Sequence, residues 1–463
     1  MIVALLAGLA QADPCGMVPP IQLTGQPPSQ LERTGAQRTY VMHRRIQGVG
    51  GVETMVLRPG FTGNVEEFGM LIPFPSAPAI RKIEDDTFAH IEAAIDPPQV
   101  QVHLYEPYNY YLDDVAMADG GSMRSVAEES AEPTMRLRED EVRVVSQEAV
   151  GMYEVAVLEA GSPKALGLWM ADNAYQYPDG MDDVVQDYVD TQWFFVAIKA
   201  RVGGGDGAQP RPGMRRADTS RPEGSSFDGH VQGMGFRFAT DEPVIPMRLS
   251  VFNGEDPRNV VYVLADDPVQ MDDVGQDLVV RQVTGEQVYR NLTEPLPVVF
   301  FNGTESDLAP GNEDYLNSLR DQTVYSSIAR DLFAADLLAT RNARSGELSL
   351  DFEEEDKELL RISESFGLRG VAIDRLHNQE LATQRERAVS GALDDVREMH
   401  LTVLDGVFPQ KVLAAQNLSF SPWTMPSRRN ARREDPLRPQ APVVSLPKKD
   451  SGNKNRSPFP IPG

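Results

Sequence analysis

Three strand-like runs and two helix-like runs follow one another between residues 141 and 202, and this succession constrains the fold more than any other part of the chain. Glu141–Val145 and Tyr153–Leu158 are rich in β-branched and apolar residues and flank Gly151, which indicates two paired strands. Trp193–Val202 (WFFVAIKARV) is an apolar run typical of a buried strand. The sequence therefore predicts an antiparallel sheet with helices inserted between its strands.

The inserted helices are predicted from a change of period across residues 162–192. Ser162 and Pro163 suit a helix N-cap and first helical position. Tyr177–Gly180 (YPDG) indicates a turn between two helices. Apolar residues stand three to four apart on both sides of that turn, at Leu166, Trp169 and Met170 and at Val184, Val185, Tyr188 and Val189.

The 463 residues divide into segments of different pattern. Strand-like runs dominate residues 13–303, which we expect to form an α+β body with a mainly antiparallel sheet. Two polar stretches within it, residues 113–141 and 203–235, are expected to be flexible insertions. Residues 304–421 are more helical in pattern, and the sequence leaves open whether they complete the same domain.

The last segment, residues 422–463, is rich in proline and basic, whereas the whole chain has a net charge of -25. Such a composition predicts a disordered tail. The tail's charge suits contact with anionic lipid, a polysaccharide or the acidic body. A solvated tail without a fixed partner explains the composition equally well.

The N-terminus indicates export. Ile2–Leu9 is an apolar run, and Ala10-Gln11-Ala12 is a small-x-small cleavage pattern, so residues 1–12 are interpreted as part of a signal peptide with the mature chain beginning at Asp13. The alternative is a buried N-terminal strand or helix. We expect a periplasmic or extracellular protein. Later apolar runs fall short of about 18 residues, so no transmembrane helix is expected.

The one cysteine, Cys15, rules out an internal disulfide and a multi-cysteine zinc site. The sequence leaves open whether this thiol is lipidated or paired with another chain. Cys15 with His43 as its base is one catalytic hypothesis. Its position beside the cleavage pattern favours an ordered or paired thiol instead.

Composition and motifs weigh against most enzyme classes. The net charge of -25 makes nucleic acid an unexpected partner. The sequence contains no zinc-binding His-Glu-x-x-His helix, no Gly-x-Ser-x-Gly elbow and no phosphate-binding Gly-Lys-Ser/Thr loop. We therefore favour the hypothesis of a non-enzymatic binding or structural protein. The rival is a hydrolase-type enzyme with a scattered site, for example around His90 or His103.

A cluster of aspartates is the candidate metal site, because calcium prefers several hard oxygen ligands. A calcium-stabilised structural protein would follow from it, and no other cofactor is expected. The spacing matches no EF-hand, so a solvated acidic loop is the favoured alternative. The candidate ligands are Asp266, Asp267, Asp272, Asp273 and Asp277.

An aromatic segment, LYEPYNYY, is the candidate binding site. Tyrosines give large contact area with little loss of side-chain entropy, which suits contact with a glycan or a peptide of the cell envelope. Packing over the end of a sheet is the favoured alternative. The candidates are Tyr105, Tyr108, Tyr110 and Tyr111.

Several segments resemble the bacterial family called domain of unknown function 2330. They are Cys15-Gly16, the stretch from Phe68 to Pro75, Tyr153–Ala160, Trp193–Lys199 and Phe238–Leu249, so the resemblance covers roughly residues 15–265. It implies an exported protein and specifies a fold more than a reaction. A second cysteine often follows the first in this family, and here it is absent.

Overall fold

The computed structural model describes most of the chain between residues 32 and 449. The described residues are 32–33, 37–46, 50–58, 61–62, 67–106, 138, 140–150, 153–201, 215–216, 232–253, 256, 258–271, 278–343, 383, 386–423 and 442–449. The predictions for residues 1–12 and for Cys15 lie outside them. Among the described residues, no helix combines the length and the apolar character needed to span a membrane.

The described elements are numbered in chain order. The strands are β1 Glu32–Arg33, β2 Gln37–Ile46, β3 Gly50–Arg58, β4 Phe61–Thr62, β5 Glu67–Phe74, β6 Ala79–Ile83, β7 Val100–Tyr105, β8 Val142–Val150, β9 Tyr153–Ala160, β10 Phe194–Arg201, β11 Arg215–Arg216, β12 Gly233–Ala239, β13 Val244–Ile245, β14 Arg258–Ala265, β15 Val269–Met271, β16 Val279–Thr284, β17 Val298–Phe301, β18 His400–Val407, β19 Leu418–Pro422 and β20 Val443–Pro447. The helices are α1 Thr87–Ile95, α2 Pro163–Asp172, α3 Asp182–Asp190, α4 Gly285–Thr293, α5 Glu313–Leu319, α6 Thr323–Ala343, α7 386–393 and α8 Gln410–Leu413, with 3-10 turns at Arg248–Asn253, Glu305–Asp307 and Asp394–Glu398.

Two large sheets form the centre of the fold. A seven-stranded sheet has the order β16-β18-β14-β2-β3-β12-β6, and a five-stranded sheet has the order β11-β8-β9-β10-β5. Their pairs are antiparallel apart from β14 with β2 and β11 with β8. The predicted α+β class with mainly antiparallel sheets is confirmed, including the strand pair that flanks Gly151.

The two sheets face each other across a shared core. Strand residues alternate between faces, so Val41 and Met55 of one sheet point to the same core as Ile72 and Val196 of the other. The short sheet β13-β19-β15 adds Ile245 and other apolar side chains to this core. Side chains at alternating positions therefore build a sandwich with a mainly apolar interior.

Helices cover the outer face of each large sheet. The predicted helical pair, α2 and α3, packs on the five-stranded sheet, and Ser162 caps α2 by accepting a hydrogen bond from the Ala165 amide at 3.1 Å. Helices α1, α4, α6 and α7 pack on the seven-stranded sheet. The result is four layers in the order helix, sheet, sheet, helix.

A buried ion pair ties the second helical layer to its sheet. Arg237 on β12 donates to Asp336 on α6 at 3.0 Å, and both side chains are fully buried. The Tyr40 hydroxyl donates to the same carboxylate at 3.1 Å. Burial, reinforced by that carboxylate, raises the pKa of Tyr40 well above its usual value, so the phenol stays a donor.

A third sheet of three parallel strands has the order β17-β7-β20 and lies at the side of the fold. One of its strands, β20, belongs to the segment that was predicted to be a disordered tail. The expectation of disorder across residues 422–463 is wrong for Val443–Pro447, which pairs with β7. Val444 and Leu446 pack against Val100 and its neighbours, and burial of these two side chains stabilises the strand.

Two other segments differ from the sequence prediction. Within the expected insertion 203–235, Arg215–Arg216 forms β11 beside β8, and β12 already begins at Gly233. The C-terminal part also supplies strands to the sheets that precede it. β18 lies between β14 and β16, and β19 lies between β13 and β15.

Candidate binding face

The outer side of the β17-β7-β20 sheet carries exposed aromatic and aliphatic side chains. Along β7, Val100, Val102 and Leu104 are buried, so Gln101, His103 and Tyr105 take the opposite side. The register places Val299 and Val443 beside Gln101, and Phe301 and Ser445 beside His103. We call these seven residues, Gln101, His103, Tyr105, Val299, Phe301, Val443 and Ser445, the aromatic face.

Apolar side chains on this face are exposed to an unusual degree. Tyr105 is 47% exposed, Phe301 40% and Val443 62%. All-parallel sheets usually have both faces covered. Here the inner face packs against Leu296, Leu308 and Leu316, whereas the outer face has no layer over it among the described residues.

Two aromatic rings on the face are held by each other. His103 and Phe301 stack with their centroids 4.6 Å apart and an angle of 11° between their planes. Phe301 belongs to β17, an end strand of this sheet in the described part of the chain. Its ring therefore keeps one face against His103 and turns the other toward the sheet edge.

The turn after Phe301 fixes the end of β17. Asn302 and Gly303 both have positive φ, and a Cβ at Gly303 would lie 2.8 Å from Leu104 Cδ1. The Thr304 amide then donates to Asp307 Oδ2 at 2.8 Å, and this hydrogen bond lowers the pKa of the Asp307 carboxyl.

The same end of the sheet is also fixed where β7 meets the C-terminal strand β20. The Lys448 amide donates to the Tyr105 carbonyl at 2.8 Å. The Lys448 ammonium also lies 3.5 Å from a Glu106 carboxylate oxygen. The backbone that carries Tyr105 is therefore held in place.

Of the predicted aromatic candidates, the structure places Tyr105 on this face. Tyr108, Tyr110 and Tyr111 lie outside the described residues, so their role stays a prediction. Phe301, His103 and Val443 were not predicted to join Tyr105. The alternation in Gln99–Leu104 could have indicated which side chains of β7 point outward. Their neighbours on β17 and β20 lie far away in sequence, so no local pattern links them to β7.

The histidines of the catalytic hypotheses lie in separate places. His90 accepts a hydrogen bond from the Ile328 amide at 3.3 Å, and burial lowers its pKa. His43 lies 3.1 Å from the Thr240 carbonyl, and burial also lowers its pKa. Packing explains both positions, and His103 is part of the aromatic face.

Glu53 is a buried acid that the sequence reasoning did not single out. Its side chain is fully buried, and its Oε2 accepts the Val244 amide at 2.8 Å. Burial raises the pKa of Glu53 well above its usual value, partly offset by that hydrogen bond. The sequence could have indicated this burial, because Glu53 alternates along β3 in step with the inward-facing Met55 and Leu57.

Part of the candidate calcium site lies outside the described residues. Asp266 and Asp267 are exposed, and Asp266 pairs with Arg44 at 3.3 Å. Asp272, Asp273 and Asp277 lie outside the described residues, so the calcium site stays a prediction. The residues that the structure describes contain no group of three or more His, Cys, Asp or Glu side chains suited to a metal ion.

Comparison with known proteins identifies the family of this chain. No curated protein matches the sequence. Among solved structures, the crystal structure of baculovirus P35 matches with 9% identity and a TM-score of 0.22, covering 58% of this chain and 78% of that one, and a likeness this low carries no argument. A family model described as an uncharacterized protein conserved in bacteria (DUF2330) matches residues 36–332. The chain therefore belongs to the bacterial DUF2330 family.

Proposed function

We propose that this protein is an exported, non-enzymatic component of the bacterial cell envelope that binds a glycan on its aromatic face. The observation that carries the proposal is the combination of exposed Tyr105 and Phe301 with Gln101 and Ser445 on one rigid sheet surface. A sugar ring offers apolar C–H groups to aromatic rings and hydroxyls to polar side chains, so the face has both kinds of partner for it.

The size of the face favours a glycan over a folded protein. The three described strands, about 4.8 Å apart and up to about six residues long, present roughly 300 Å². A stable protein–protein interface takes about 800 Å² from each partner. A chain of a few sugars fits within the smaller area, whereas a folded partner would need contacts well beyond it.

The fixed ends of the strands support binding without a large rearrangement. Tyr105 is anchored through its carbonyl, and Phe301 is stacked on His103. A ligand therefore meets strands whose backbone is already fixed and a Phe301 ring that is already held against His103. His103, the imidazole on this face, is stacked on Phe301, and this packing role suits recognition more than catalysis.

Export rests on the N-terminal sequence. The apolar run Ile2–Leu9 followed by Ala10-Gln11-Ala12 is the basis for placing the protein outside the cytoplasm, where envelope glycans lie. The intact mass of protein isolated from its native cell fractions tests this part. A chain beginning at Asp13 supports it, and an unprocessed chain confined to the cytosol contradicts it.

Binding is tested with soluble glycans and a matched pair of tyrosine variants. Cellohexaose, chitohexaose and soluble peptidoglycan fragments serve as probes in calorimetry with the full chain. Tyr105→Ala and Phe301→Ala should each weaken binding by about tenfold or more, which corresponds to about 1.4 kcal/mol for a lost aromatic contact. Tyr315→Ala removes an equally exposed tyrosine (49%) from α5 and should leave the affinity unchanged.

Two results would contradict the proposal. One is the absence of binding to all three probes by the folded wild-type protein. The other is a glycan affinity that falls as much in Tyr315→Ala as in Tyr105→Ala, because the site would then lie elsewhere on the surface.

A further inference from the structure

The turn after β17 presents an asparagine followed by a glycine, a chemically reactive pair. Asparagine is among the thermolabile residues, because the main-chain nitrogen of the next residue attacks its side-chain amide. Glycine in the next position has no Cβ to obstruct that approach. The sequence contains such a pair twice, at Asn253-Gly254 and Asn302-Gly303. Of the two, the structure describes Asn302-Gly303 in full.

Both reacting groups of this pair are exposed and are not held in hydrogen bonds. Asn302 and Gly303 form the exposed bend between β17 and the 3-10 turn at Glu305–Asp307. Within the described part of the chain, no group hydrogen-bonds the side chain of Asn302 or the main-chain N–H of Gly303. The amide that is attacked and the nitrogen that attacks it are therefore both available.

Two other asparagines show what this combination excludes. Asn291 is buried, and its Nδ2 donates to the Ala94 carbonyl at 2.9 Å. Asn317 is exposed but lies within α5. Its neighbour Ser318 is the sixth residue of that helix, a position whose amide donates to a carbonyl four residues back. Asn317 therefore has exposure without a free nucleophile, and it provides an internal comparison.

The geometry of the bend itself demands the reactive pair. Asn302 has a φ of 63°, a left-handed conformation that asparagine tolerates better than most residues. Gly303 has a φ of 154°, and a Cβ at this position would lie 2.8 Å from Leu104 Cδ1 and 3.1 Å from Asp307 Oδ2. Position 303 therefore requires glycine, so the fold itself supplies the unhindered nitrogen beside Asn302.

We propose that Asn302 is a site of spontaneous modification, at which the side-chain amide is replaced by a carboxylate. The Gly303 nitrogen gives up its proton and bonds to Asn302 Cγ, and the departing amide nitrogen takes up that proton and leaves as ammonia. Water then opens the resulting succinimide ring at one of its two carbonyls. Opening at the side-chain carbonyl gives aspartate. Opening at the main-chain carbonyl gives isoaspartate, in which the main chain runs through the former side chain.

The modification changes the turn that fixes the end of β17. Isoaspartate adds one carbon to the main chain directly after Phe301, whose ring stacks on His103. Either product also places a negative charge next to Gly303, close to the carboxylate of Asp307 that accepts the Thr304 amide. Like charges at short range repel each other. Spontaneous modification of Asn302 therefore alters both the main chain and the charge beside the aromatic face.

Peptide mapping of the full protein during storage in mildly alkaline buffer tests the proposal. The peptide that contains residue 302 should gain the mass of an amide-to-acid conversion, and electron-transfer fragmentation should identify isoaspartate there. A synthetic peptide of residues 299–305 gives the rate without the fold. We expect Asn302 in the protein to convert at a rate similar to that of the synthetic peptide and several times faster than Asn317. None of these readouts depends on glycan binding.

The control variant Asn302→Gly removes the side-chain amide at a backbone conformation that glycine adopts without strain. It should fold like wild type, and its peptide should keep its mass throughout storage. Asn302 that stays intact after the synthetic peptide has converted would overturn the proposal, because the fold would then block ring closure. Aspartate at residue 302 without isoaspartate would also overturn it, since direct hydrolysis of the amide yields aspartate alone.

Discussion

Glu53 and His43 occupy neighbouring strands and the same side of the seven-stranded sheet, directly opposite each other in the ladder. Burial raises the pKa of Glu53 and lowers that of His43, so both side chains favour their neutral forms in the folded state. Each group then makes stability depend on pH, in opposite directions. The alternation of Glu53, Met55 and Leu57 is a local pattern, but the depth of Glu53's burial depends on the distant segment at Val244.

Replacing this acid by its neutral isostere tests the consequence. Below the unfolded-state pKa of about 4.3, Glu53 is protonated in both states and contributes no pH dependence. As the pH rises above that value, the unfolded chain ionises first, so wild-type stability falls by up to about 1.4 kcal/mol per pH unit. Glu53→Gln should therefore gain melting temperature relative to wild type between pH 4 and pH 7.

The exposed acid Glu242, which pairs with Arg45 at the surface, provides the control. Glu242→Gln should change the melting temperature much less than Glu53→Gln, because its carboxyl is exposed. A difference between Glu53→Gln and wild type that does not grow with pH would show that Glu53 ionises in the folded protein as readily as in the unfolded chain.

The ion pair Arg237–Asp336 gives a second comparison at the residue scale. Asp336→Asn leaves a fully buried guanidinium without its counter-charge, and we expect a loss of about 3–5 kcal/mol in the free energy of unfolding. Glu242→Gln breaks an exposed pair and should cost less than about 1 kcal/mol. Chemical denaturation measures both, and similar losses would mean that Asp336 is not buried as described.

At the scale of elements, β20 shows where composition misleads. Prolines and basic residues predicted disorder throughout residues 422–463, and a strand of five residues has too few side chains to outweigh that average. Its stability comes from β7 and from Leu308 and Leu316, which are distant in sequence. The helical pair was predictable because the Ser162 cap of α2 and the apolar spacing of both helices are local.

Removal of a side chain from each side of β20 tests its place in the sheet. Leu446 is buried, so Leu446→Ala should destabilise the protein by about 2–4 kcal/mol. Val443 is 62% exposed, so Val443→Ala should be nearly neutral for stability. If Leu446→Ala also leaves the denaturation midpoint unchanged, then Val443–Pro447 does not pack on β7.

At the scale of the whole molecule, the sequence predicted the α+β class and the strands β8, β9 and β10, because their apolar runs are continuous or alternate cleanly. The strands β18 and β19 lie close together in sequence, yet they pair with different sheets. Such partners depend on chain crossings that local patterns do not encode. The aromatic face is a product of the same crossings, since its three strands come from three distant segments.

The most direct test of the proposed function is side-chain footprinting of the full protein with and without a bound glycan probe. We predict that the glycan protects Tyr105 and Phe301 from oxidative labelling and leaves Tyr315 as reactive as before. Protection of Tyr315, with Tyr105 and Phe301 unchanged, would contradict the assignment of the aromatic face as the binding surface.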